Sequence, residues 1–441
     1  MSLAGKLNDL ASRSSVIMLS RLAGAGIGFL TQFLLVKLMG AHHLGLFYAA
    51  SSLAAVLGVL AAQGYPQVAA RFVGRYRNKH DDALFSSFTS HAMRDGLLAA
   101  VIAALGVNAW AFLWPGLDLS ETIAYSVAGW MLLAIVTLNI LTNIAGGMRI
   151  FSLCYMPEGM LRPFLFFGVV ALFGLSGLAL SAQTAMVIFA VITAALAGSV
   201  AMLLSHQMPV HKPTASPPAQ LIWRWRTEAW QLVLLAVFTN FFADVGILVA
   251  VPFLTNAETA VFGLCLKLAL LVGYFVQIGQ QFVVPDMADA RHHGDMQRLR
   301  RAAWRSILAP SAITAASMLA IFFYGSEMLS FFGPEFAQGR IALLILLAAQ
   351  MLRALAGPSA HLLTLSGIQS VSFGIALTSL LVLFGGSALL SPVFGIEGAA
   401  LAVAITYAYW IGISAIALKR LKEPSVDIVW LTFARLTVRT A

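Results

Sequence analysis

Residues 260–305 read AVFGLCLKLALLVGYFVQIGQQFVVPDMADARHHGDMQRLRRAAWR, a long apolar run that ends in a basic loop. Lys267 sits within the apolar part, and Arg291, Arg298, Arg300, Arg301 and Arg305 follow it. An ammonium at mid-bilayer is expensive and calls for a partner, water or a function. A basic loop at the end of an apolar helix marks the end that faces the cytoplasm. The stretch therefore reads as a membrane span with its orientation attached.

The rest of the chain repeats that grammar. Of 441 residues 60% are hydrophobic and 10% charged, with a mean hydropathy of +0.87. A soluble domain carries about 25% charged residues, so this is a polytopic membrane protein. The net charge of +9 reads as cytoplasmic anchoring, and nucleic acid is not an expected partner. Cys154 and Cys265 lie in or beside apolar segments and show neither a disulfide framework nor metal spacing. The first apolar run, to about Val36, is too long for a signal-peptide core and is expected to be retained.

A span needs ~20 mostly apolar residues. Twelve candidates fit: about 14–38, 44–65, 86–113, 121–145, 155–177, 182–204, 229–252, 258–284, 304–325, 340–364, 369–390 and 396–418. In lipid the backbone must satisfy its own hydrogen bonds, so all are helices. With the N-terminus inside, the inner loops collect Arg71, Arg75, Arg77, Lys79, Arg149, Lys212, Arg224, Arg226, Arg291, Arg298, Arg300 and Arg301. The outer loops carry Asp118 and Glu335 and almost no basic residue. Both termini are then cytoplasmic.

The segment 205–226, SHQMPVHKPTASPPAQLIWRWR, is polar and rich in proline, serine and histidine, as a linker is. It divides the chain into a six-helix lobe at 1–204, a cytoplasmic linker at 205–228 and a second six-helix lobe at 229–425. Residues 426–441 read either as a short interfacial helix or as a frayed tail. A gapless offset of 215 lays Gly45–Gly64 on Ala260–Gly279, pairing Phe47 with Phe262, Gly58 with Gly273 and Gly64 with Gly279. Both halves start on the same side, so the expected architecture is all-α, with twelve transmembrane helices in two parallel six-helix lobes around a central cavity.

Polar residues inside the spans form stripes. Arg21, Gly24, Gly28 and Gln32 share one face of the first span. Either Arg21 binds an anion there or it reaches the interface while the glycines pack. Asn240 and Asp244 are spaced one turn apart in the seventh span. Lys267, Tyr274 and Gln281 repeat every seven residues in the eighth. Lys267 either meets an anionic substrate, with Asp244 exchanging a proton, or pairs with Asp244 structurally. In the tenth span Gln350, Arg353 and Gly357 lie on one side, ahead of Pro358 and His361. Such an interrupted helix marks either a binding site or a simple kink. His91, Arg94 and Asp95 read as a gate or a local ion pair. No P-loop and no HExxH sequence occurs, and the adjacent His42-His43 and His292-His293 pairs do not have metal-ligand spacing. No cofactor, metal or catalytic residue is expected. Cations inside an apolar chain with an internal repeat point to a transporter rather than an enzyme.

Four stretches carry a family resemblance: KLMGAHHLGLFYAASSLAAVLGVLAAQGYPQVAARFVGRYR, FVVPDMADARHHGDMQRLRRAAWR, FFGPEFAQGRIALLILLAAQMLRALAGPSAHLLTLSGIQ and GIEGAALAVAITY. In order and spacing they resemble polysaccharide translocases of the multidrug/oligosaccharidyl-lipid/polysaccharide exporter superfamily, nearest to the Wzx-type O-antigen and exopolysaccharide flippases. The resemblance implies two lobes about a cavity in a bacterial inner membrane. It also implies movement of a polyprenyl-diphosphate-linked oligosaccharide to the periplasmic leaflet by alternating access, driven by an ion gradient. Arg21, Lys267 and Arg353 fit the family's cationic role, with Gln32, Tyr274 and Gln281 beside them and Asp244 and Asn240 as ion-coupling candidates. Polysaccharide polymerase and chain-length regulator proteins would be partners. Two other readings are a cation-coupled multidrug exporter of the same superfamily and a non-transporting scaffold of polysaccharide assembly.

Overall fold

The computed structural model describes residues 3–208, 217–292, 296–357 and 369–420. Among them every regular element is helical. The contacts divide the chain into two compact units, Met1–Val245 and Gly246–Ala441.

In the first unit the helical rod Leu3–Ala61 breaks at Gly40, whose φ of 68° and ψ of 171° are not helical. The rod folds back there into α1 (3–39) and α2 (41–61). The Tyr48 hydroxyl donates to Gln32 Oε1 at 2.5 Å across sixteen residues, whereas a straight helix would separate them by about 24 Å. A positive φ at the turn is natural for glycine and strained for other residues. A short helix α3 (Tyr65–Asn78) follows, with one face buried and the other basic. Then come α4 (Asp82–Leu113), α5 (Leu119–Gly147), α6 (Phe151–Ser176) and α7 (Ala182–Ser205). Asp118 caps α5 in a reciprocal box with Glu121, and Ser181 caps α7. Helix α5 packs against α2, α3, α4 and α7 and is the centre of the unit.

Next, α8 (Ala219–Asn240) meets α9 (Phe242–Ala250) at a 78° bend. In the second unit α10 (Asn256–His292), α11 (Met296–Ser330) and α12 (Arg340–Leu355) are followed by the rod Gln369–Arg420. That rod folds back at Gly395 into α13 (369–394) and α14 (396–420). A Cβ on Gly386 would lie 3.3 Å from the Ala402 Cβ, so the two arms run side by side. With each folded-back rod taken as a pair and α8–α9 as one bent span, the described apolar segments number the twelve expected from the sequence.

The seventh segment differs from its expectation. Its helix starts at Ala219 rather than at 229, and Trp225, within the added turns, is fully buried in the first unit. Part of the expected linker is therefore packed helix, and the division between compact units falls after Val245. Residues 426–441, Pro358 and His361 lie outside the described residues.

The offset of 215 holds in the packing. Helix α4, Asp82–Leu113, corresponds to α11, Met296–Ser330, and α7, Ala182–Ser205, corresponds to 396–420. Within the first unit a Cβ on Gly58 would meet Ile135 Cγ2 at 2.5 Å; within the second, a Cβ on Gly273 would meet Gln350 Oε1 at 2.6 Å. Trp110 stacks edge-on with Tyr125 at 5.2 Å, and the corresponding Gly325 and Arg340 also touch. Residues paired by the offset thus make the same helix–helix contacts within their own units.

Candidate functional site

In the first unit a polar seam runs along α2. Tyr48 and Ser52 are one turn apart on this helix, and both are buried. Tyr48 donates to Gln32 of α1 at 2.5 Å. Ser52 donates to Asp244 Oδ1 at 2.9 Å. The structure thus brings two of the candidate residues, Gln32 and Asp244, to one face of a third helix. Asn240 does not join them. It ends α8, is exposed, and is separated from Asp244 by the bend at Phe241, so the one-turn spacing read from the sequence is not a helical turn here. Arg21 lies on the α1 backbone, and its side chain is outside the description.

A second network sits at the basic end of the same unit. Asp95 is buried in α4. Arg226 of α8 donates to it through Nε at 2.8 Å and through a terminal nitrogen at 3.0 Å. The Tyr65 hydroxyl donates to Asp95 at 2.8 Å, and Arg94 stands 3.6 Å away. Burial, and then the adjoining Asp95, hold the Tyr65 phenol above its ordinary value, so it stays a donor. Trp225 Nε1 donates to the Tyr76 hydroxyl at 2.7 Å, inside an aromatic cluster with Phe72 and Phe88. Gly64 has φ 75°, and a Cβ there would stand 2.0 Å from the Ala229 carbonyl oxygen. Glycine is what lets α8 approach the start of α3. The local ion pair expected for Arg94 and Asp95 is present, but its main partner is Arg226. From the sequence, Arg226 reads as one more inner-loop cation.

In the second unit Lys267 is half-buried inside α10, and Tyr274, farther along, is 46% exposed. The Gln281 side chain lies outside the description. Arg353 is half-buried on α12, and Gln350, one turn before it, is 2% exposed. Gln350 Oε1 has no hydrogen-bond partner among the described residues and faces Gly273, next to Tyr274.

Sequence reasoning missed one charged place. Helix α6 carries a π-turn over Pro157–Leu161, a distortion frequent at functional sites. Glu158 lies within the turn, and Arg162 follows it, stacked 5.3 Å over Phe189. A Cβ on Gly24 of α1 would meet the Gly159 carbonyl oxygen at 1.8 Å, so α1 packs directly on this turn. The signal was present: two charges and two prolines in PEGMLRP within an apolar segment. No group of three or more metal-ligating side chains occurs among the described residues.

No protein-family model and no curated protein matches the chain. Solved structures do. An inward-facing multidrug resistance MATE transporter of the MOP superfamily is 14% identical with a TM-score of 0.68, over 93% of this chain and 98% of that one. The lipid II flippase MurJ, inward closed, is 12% identical with a TM-score of 0.70, over 92% and 87%. A MOP superfamily transporter from Pyrococcus furiosus is 15% identical with a TM-score of 0.52, over 94% and 96%. At these identities the likeness shows the fold alone: an all-helical, multi-pass architecture like that of these transporters and this flippase.

Proposed function

We propose that the chain flips a polyprenyl-diphosphate-linked oligosaccharide from the cytoplasmic to the periplasmic leaflet of a bacterial inner membrane by alternating access of its two six-helix lobes. The observation that carries the reading is Lys267, a half-buried ammonium within the apolar helix α10. Arg353 on α12 has the same half-buried character. A diphosphate head cannot enter hydrocarbon without replacement of its hydration, and such cations replace it. The fold shared with MurJ, a lipid II flippase, supports a lipid-linked cargo. Arg21, Gln32, Tyr274 and Gln281 complete the proposed cargo-contacting set, and Asp244 with Asn240 the ion-coupling set. Polymerase and chain-length regulators would receive the product.

The test is flipping in proteoliposomes that hold a polyprenyl-diphosphate oligosaccharide, following the fraction exposed at the outer face with and without a proton gradient. Protein-dependent movement reduced by both Arg21→Ala and Lys267→Ala supports the reading. No movement under a verified gradient, with several sugar heads tried, defeats it. A second reading, a cation-coupled multidrug exporter, is favoured by the half-buried carboxylate of Asp244 and by the MATE fold. It predicts gradient-driven uptake of a lipophilic organic cation that Asp244→Asn abolishes. Against it, the buried acid Asp95 is already neutralised by Arg226.

A further inference from the structure

Helix α3 is no span. Its mean composition is polar, and it lies between the end of α2 and the start of α4 in the first unit. Its apolar side is buried, and Arg71, Arg75 and Arg77 on the other side are exposed. The first turns of α8 lie against it through the Trp225–Tyr76 hydrogen bond. There, Glu228 holds Arg71 and Arg224 together. Beside Arg224 the Trp223 ring is 70% exposed, and Trp230, two turns on along the same helical face, is 58% exposed. The two indoles are spaced about 10 Å apart along the axis, the depth of a headgroup layer rather than of the hydrocarbon.

From this juxtaposition we propose that α3 and the start of α8 form a docking surface for anionic phospholipid headgroups. The arginines meet the lipid phosphates, and Trp223 and Trp230 set the depth of α8 in the interface. Charge selects the occupant. The acid between Arg71 and Arg224 is shared by both, which leaves the pair net cationic. A guanidinium suits phosphate oxygens, which it can meet in a bidentate fork. By charge, two other stretches of the chain fit poorly. Residues 209–216 contain Lys212 and no acid, and residues 419–441 hold Lys419, Arg420, Lys422, Arg435 and Arg439 against Glu423 and Asp427. Either would bring cations to a cationic face.

The test reads where these indoles sit. The full chain is reconstituted in vesicles of phosphatidylcholine with either brominated phosphatidylglycerol or brominated phosphatidylcholine as quencher. The Trp223 contribution is isolated by difference from Trp223→Phe, and that of Trp230 likewise. Buried Trp225 gives an internal reference for an intact fold. The expected result is preferential quenching by the anionic lipid, with local enrichment of about fivefold for one engaged arginine. The preference should collapse at ~1 M salt, where the screening length falls to about 3 Å. It should also vanish in R71Q/R75Q/R224Q while that variant keeps its melting temperature. Equal quenching by the two lipids would overturn the proposal. So would a preference that survives the triple substitution, or Trp223 emission that no lipid quenches, which would assign the face to a protein partner.

Discussion

Replacing Gln350 by methionine should stabilise the second unit. The side chain is 2% exposed, and its Oε1 lacks a hydrogen-bond partner among the described residues. A buried acceptor left without a donor costs about 1–3 kcal/mol. Methionine has nearly the same length and no polar atom, and volume-conserving swaps cost less than ~1.5 kcal/mol. The site already tolerates an apolar group in its counterpart, where Ile135 packs on Gly58 as Gln350 packs on Gly273. The expected net gain is about 1–2 kcal/mol. For a unit of this size that is a rise of roughly 2–8 °C in melting temperature, followed in detergent by the loss of monodisperse protein on heating. The reciprocal Ile135→Gln should lower the melting temperature by placing an amide in an apolar contact. A lower melting temperature for Gln350→Met would refute the reasoning, because it would mean that a bound donor satisfies Oε1. If Gln350→Met is more stable but flips less, the unmet acceptor is retained for transport.

The other expectations concern the basic end of the first unit. Arg226→Met leaves Asp95 buried without its main cation and should cost up to about 3–5 kcal/mol, less some screening because Arg226 is 42% exposed; Asp95→Leu on that background should recover most of the loss in a thermal-melting cycle. Gly64→Ala should destabilise strongly, since its Cβ would lie 2.0 Å from the Ala229 carbonyl at a φ of 75°, and limited proteolysis between 205 and 219 should report the loosened start of α8. Tyr65 has a folded pKa raised above the ordinary 10.0. Its contribution is therefore complete below about pH 10 and declines as pH rises toward the folded value. Alkaline titration should show wild type losing stability above pH 10 while Tyr65→Phe, weaker at neutral pH, changes less over the same interval.

The sequence made the spans, their order and the repeat legible, because hydrocarbon enforces long apolar helices and the polar, basic loops between them stand out. It was weaker where a polar residue is answered by another far along the chain. Arg226 and Asp95 are separated by 131 positions, and nothing local distinguishes Arg226 from the neighbouring inner-loop arginines. The same holds for Ser52 and Asp244, separated by 192. Helical spacing also misled at Asn240 and Asp244, because the helix bends by 78° at Phe241, where neither proline nor glycine announces it. The prolines flanking Glu158 and Arg162 were visible. Read as the start of an ordinary span, they concealed a π-turn.

The repeat turns these particulars into a comparison that the protein makes with itself. Where the first unit packs glycine against isoleucine, the second packs glycine against glutamine. Where the first stacks Trp110 on Tyr125, the second sets Arg340 against Gly325, with the guanidinium over the Phe322 ring. The contacts are kept while their chemistry shifts from apolar to polar and cationic. The first change leaves an amide acceptor without a partner among the described residues, whereas the Arg340 guanidinium, at the start of α12, donates to the Phe322 carbonyl. The second unit also holds Lys267 and Arg353. The proposed function assigns this polarity to an anionic cargo headgroup.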